Sequence, residues 1–134
     1  MMKFVKRILG ICETPEADGQ SWRVSDSQII ADLNKIPALS KSGGAVRLEG
    51  KGLADRILLV HGTDGKYHAF VNKCSHMGRR IDPMAGEAAL CCCSVSKSMY
   101  RYDGNAISGP AKTPLRTLPV QVNPETGILI AGMG

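Results

Sequence analysis

A chain of 134 residues with 43% hydrophobic and 22% charged side chains is long enough to bury one modest core and too short for two large ones. With 4% aromatic residues, that core must rest on Leu, Ile, Val, Ala and Met, and a bound cofactor would add stability that such a core supplies poorly. The net charge of +5 suits an acidic partner, but the basic residues run from Lys3 to Arg116 without a dense cluster or an interleaved aromatic platform, so no nucleic acid is expected.

The opening stretch MMKFVKRILGIC sets basic residues before an apolar run of about five, too short for a signal peptide or a membrane span. No membrane contact is expected, and a cytoplasmic location follows. In such a reducing compartment five cysteines, four of them between Cys74 and Cys93, suit metal binding or reactive thiols better than a disulfide framework.

Residues 1–43 read as an N-terminal arm with one short predicted helix, SDSQIIADLNKI, capped by Ser25 or Asp26 and stopped by Pro37. From GGAVRLEGKG onward, residues 44–134 read as one all-β domain, because short apolar runs alternate with Gly, Asp-Gly, Asn and Pro. The clearest hairpin is RILLVHGTDGKYHAFVN, where Asp64-Gly65 supplies the positive φ of a tight turn. SMYRYDGNAISG repeats the pattern at Asp103-Gly104, and further strands are predicted at EAALCCC, TLPVQV and GILIAG, as in a small antiparallel β-sandwich or barrel.

Cys74 and His76 follow a predicted strand in NKCSHMG, where Gly78 permits the sharp loop that lets two side chains converge on one centre. Cys93 stands at the end of the next strand, separated from His76 by sixteen residues, a gap that a loop and a strand close so that both tips meet. Cys91 and Cys93 should share one side of that strand and Cys92 the other, since side chains alternate. His61 and His68 sit in the preceding hairpin and read as ordinary strand histidines.

This ligand spacing resembles that of the Rieske 2Fe-2S domain family across Val46 to Ile130. NKCSHMG matches the first cluster loop, SKSMYRYDG resembles the segment around the second histidine, and SGPAKTPL resembles the proline-rich loop. The resemblance implies a Rieske-like β-sandwich whose tip, formed by two loops, binds a 2Fe-2S cluster through two thiolates and two imidazoles. It assigns Cys74, His76 and Cys93 as metal ligands, and Ser98 and Tyr100 as hydroxyl donors to cluster sulfur.

The chain departs from the family where the second histidine is expected: Ser96 stands there. The fourth ligand is then Ser96, by position, or Cys92, whose thiolate is the better iron ligand; either, as an anion, would lower the potential relative to imidazole. The cysteine pair that forms a loop disulfide in high-potential members is replaced by Arg79 and Val95, which places the chain beside the ferredoxin-type branch. The implied function is electron transfer between a reductase and an acceptor such as an oxygenase component, with no substrate pocket of its own. The alternative is a Rieske-fold interaction module without a cluster, or with structural zinc held by Cys74, His76, Cys93 and one of Cys91 or Cys92.

Overall fold

The run Ile57, Leu58, Leu59, Val60 lacks the polar alternation of a strand with one wet face. In the computed structural model, which describes residues 14–74, 78–84, 86–93, 98–109 and 113–133, all four side chains are buried. In chain order the strands among these residues are β1 (Trp22–Ser25), β2 (Gln28–Asp32), β3 (Ala45–Leu48), β4 (Ile57–His61), β5 (Tyr67–Val71), β6 (Ile81–Pro83), β7 (Ala89–Cys92), β8 (Met99–Arg101), β9 (Ala106–Ser108), β10 (Thr117–Leu118), β11 (Val120–Asn123) and β12 (Ile128–Gly132).

They form three antiparallel sheets: β10-β5-β4-β3, β1-β2-β12-β11 and β6-β7-β8-β9. The first sheet is central because it has a core on each face. Ile57, Leu59, Ala69 and Val71 pack with Trp22, Ile29, Ala31, Leu129 and Ala131 of the second sheet. Leu58, Val60 and Phe70 pack with Ile81, Leu90, Cys92 and Tyr100 of the third. The period of two therefore sends neighbouring β4 side chains into different cores, and each such buried aliphatic side chain contributes about 1.5–3 kcal/mol.

Both predicted hairpins form, with Gly65 at φ 80° and Gly104 at φ 93°. EAALCCC contains β7 and GILIAG contains β12, while TLPVQV is split at Pro119, where the chain crosses from the central sheet to the second. Strand β6, with Pro83 at its end, was not expected; it is an edge strand, where proline is tolerated.

The helix expected over SDSQIIADLNKI is absent. Instead β1 and β2 pair as a hairpin with Ser25 opposite Gln28, and the turn residues Asp26 and Ser27 have φ of 50° and 62°, the two positive values of a type I′ turn. The helical turns here are two short 3-10 segments, Leu33–Lys35 and Pro37–Leu39, and Pro37 opens the second rather than ending a helix. Ile29, Ile30, Leu33 and Ile36 imitate helical spacing, but pairing of β2 with β12 buries Ile29 and Ala31 completely, a long-range gain that overrides local propensity. Within the segment expected to be an arm, β1 and β2 lie in a sheet completed by β11 and β12. No helix among the described residues is long and apolar enough to cross a membrane.

Candidate metal centre

Beyond β5 the chain turns sharply. The Cys74 amide donates to the Arg79 carbonyl (2.7 Å) and the Gly78 amide to the Cys74 carbonyl (2.8 Å), a closure that uses Gly78 at φ 69°. The next carbonyl along, that of Arg80, accepts the Cys93 amide at 2.8 Å. Successive carbonyls of an extended segment point to opposite sides, so Arg79 and Arg80 form a shared rail with one cysteine loop bonded to each side.

The side chains carry the geometry further. Cys74 is 1% exposed, and its Sγ lies 3.2 Å from the hydroxyl of Tyr100, itself fully buried on β8. Cys92, paired with Ile81, shares one core with Cys74 and Tyr100. Cys91 is also buried and, by alternation along β7, faces the other way. Ser98 is buried and its carbonyl accepts the Cys92 amide at 2.8 Å. Cys74, Cys91 and Cys92 carry no disulfide. His76 and Ser96 lie outside the described residues, and among those described no three His, Cys, Asp or Glu side chains converge as on a metal ion.

Sequence reading missed the residues that hold the loops. Arg56 Nε and Nη2 donate to the Asn72 carbonyl (3.2 and 3.1 Å) and Nη2 also donates to the Gly78 carbonyl (2.7 Å). Asn72 takes the Ile81 amide on its Oδ1 at 2.7 Å, capping the outer edge of the third sheet, while its buried Nδ2 has no hydrogen-bond partner among the described residues. An unsatisfied buried donor costs about 1–3 kcal/mol, and a sulfide or thiolate anion brought into the site is the kind of acceptor it lacks. Arg80 forks onto Glu49 (2.7 and 2.9 Å), which Arg47 also reaches at 3.0 Å. The hydrogen bond from Arg80 lowers the Glu49 pKa against the opposing effect of burial, with the attraction of both arginines adding to it. None of these contacts has a spacing signal, because Arg56 and Asn72 work largely through backbone groups.

The two hairpin histidines are engaged elsewhere. His61 Nδ1 lies 2.9 Å from the Leu39 carbonyl and its ring stacks on Tyr67; His68 Nε2 lies 2.9 Å from Asp64 Oδ2 and its ring stacks on Tyr102.

Three antiparallel sheets, with two cysteine loops held on one rail and a tyrosine hydroxyl on one sulfur, define a small β protein organised around a thiol-lined loop pair. The chain belongs to the Rieske [2Fe-2S] domain family, whose model matches residues 33–119. Its fold is similar to that of the ferredoxin of carbazole 1,9a-dioxygenase from Nocardioides aromaticivorans (19% identity, 78% of this chain and 95% of that one, TM-score 0.61). It is also similar to the plasma-membrane Rieske protein of the cyanobacterium Synechocystis (21% identity, 63% and 84%, TM-score 0.52). A quaternary ammonium Rieske monooxygenase matches at 17% identity over 85% of this chain but only 32% of its own length, with a TM-score of 0.59. Among curated protein sequences no match is found.

Proposed function

We propose that the chain is an electron-transfer protein or subunit of the cytoplasm, carrying a 2Fe-2S cluster in a modified Rieske site between a reductase and an acceptor such as an oxygenase component. The observation that carries this reading is the placement of Cys74 and Cys93 on the successive carbonyls of Arg79 and Arg80. Cys74, His76 and Cys93 are the proposed ligands, with Ser96 or Cys92 as the fourth; Cys92 is favoured by sharing a core with Cys74. A bound 2Fe-2S cluster takes up and releases one electron. The chain's own part is to fix the two loops, to exclude water through Leu90, Phe70 and Ile81, and to donate the Tyr100 hydroxyl to Cys74 sulfur, with Ser98 as a further hydroxyl donor. The net charge of +5 favours docking to an acidic protein face.

A second reading is favoured by serine at position 96: a Rieske fold kept for protein contacts, without a cluster or with structural zinc. Purification without oxygen under reducing conditions, followed by iron, sulfide and zinc analysis, separates the two. The proposal expects about two irons per chain and visible absorption that is abolished in Cys74→Ala and Cys93→Ala. Ser96→His should retain iron and move the spectrum toward that of a two-histidine centre. Loss of iron in Cys92→Ala or in Ser96→Ala identifies the fourth ligand. Zinc, or no metal in the reduced wild-type protein, defeats the electron-carrier reading.

A further inference from the structure

The loop that begins at Asn72 and returns at Gly78 is clasped by a single side chain from outside it. Arg56, just before β4, binds the Asn72 carbonyl with two nitrogens and the Gly78 carbonyl with one of the same two, and its own carbonyl accepts the Asn72 amide at 2.7 Å. Both ends of the segment containing Cys74 and His76 are thus tied to one guanidinium, whose planar fork suits such shared acceptors. Among the described residues Arg56 makes no ion pair with a carboxylate: the ion pairs of this structure are Arg47 and Arg80 with Glu49, His68 with Asp64, and Arg116 with Asp55. Arg80, by contrast, has its charge matched by Glu49. Arg56 is half-buried, so its charge is only partly screened by solvent.

We propose that Arg56 is the positioning residue of the first ligand loop and that its unmatched positive charge raises the potential of the centre bound there. The second half rests on the iron-sulfur reading above; the first does not. A fixed cation favours the state with one more electron, so its removal lowers the potential, whereas the clasp acts on the loop whether or not metal is bound.

Two full-length variants separate the effects. Arg56→Gln removes the charge and the fork; Arg56→Lys keeps the charge but cannot fork across both carbonyls. In the metal-free chain, amide hydrogen exchange at Cys74 and Gly78 should be at least tenfold faster in Arg56→Gln and faster in Arg56→Lys, with the β4 and β5 amides unchanged. In iron-loaded protein the oxidised-to-reduced ratio at the wild-type midpoint should rise about tenfold in Arg56→Gln, about 59 mV for one electron. Arg56→Lys should restore most of that change, and added salt should narrow the gap between wild type and Arg56→Gln. Unchanged exchange at both amides in both variants overturns the clasp. An unchanged potential in Arg56→Gln, or a fall of equal size in Arg56→Lys, overturns the charge effect. A wild-type chain that takes up no iron under reducing conditions overturns the iron-sulfur reading and the charge effect with it, and leaves the exchange result to decide the clasp.

Discussion

Tyr100 is wholly buried, yet its polar tip must be satisfied, and Cys74 Sγ satisfies it. Tyr100→Phe keeps the ring's packing and removes the hydroxyl with its bond to Cys74, so stability measured by denaturant titration should fall by about 0.5–1.5 kcal/mol. If the sulfur is a metal ligand, losing a donor to it should also lower the potential while iron content holds; a potential that rises would place the tyrosine elsewhere in the chemistry. Glycines give a second contrast at this scale. A Cβ at Gly44 would lie 1.8 Å from the main-chain oxygen of Ala38, whereas one at Gly65 meets open space and only the φ of 80° opposes it. Gly44→Ala should therefore melt well below Gly65→Ala, since backbone that blocks a side chain cannot swing aside, while a left-handed residue costs about 1–2 kcal/mol. That the loops of Cys74 and Cys93 lie side by side was legible in the sequence because the spacing of the two cysteines is a linear signal. Arg56 was not, because a side chain that binds carbonyls leaves no trace in the residues it binds.

Among the elements, the clamp between the end of β3 and the rail ahead of β6 depends on an ionised Glu49. Its pKa is lowered in the fold, chiefly by the Arg80 hydrogen bond, so its contribution is complete above the ordinary value of 4.5 and is lost as pH falls through the lower folded value. The stability difference between wild type and Glu49→Gln should be flat above that pH and shrink below it. A difference that grows on acidification would show that the carboxylate is not what holds the rail. The hairpins show what pattern reading reaches at this scale. β4 and β5 were legible because Asp64-Gly65 marks their turn and their partners are adjacent in sequence. The turn into β2, Asp26-Ser27, has no glycine to mark it, although both residues adopt positive φ, and the pattern from Ser25 to Ile36 therefore predicts a helix. The strand that stabilises this hairpin, β12, lies at the far end of the chain.

Across the whole molecule, the second sheet stands apart from the family match: β1 and β2 precede residue 33, and β11 and β12 follow residue 119. The central sheet nevertheless needs it, because Ile57, Leu59, Ala69 and Val71 share a core with Trp22, Ile29, Ala31, Leu129 and Ala131. A fragment of residues 33–119 should therefore fail to unfold cooperatively and should associate in solution, whereas the full chain gives a single sharp transition; circular dichroism and sedimentation distinguish them. A fragment as stable as the full chain would mean that the second core contributes little.

Ile30 faces Ile130 across β2 and β12, one hundred residues apart. On a ribosome working at about 5–20 residues per second, the first hairpin therefore waits roughly 5–20 s for its neighbour to be made. Cys74 and Cys93 precede β12 in the chain, so their thiols emerge during that wait, beside a β-structure still open on one face.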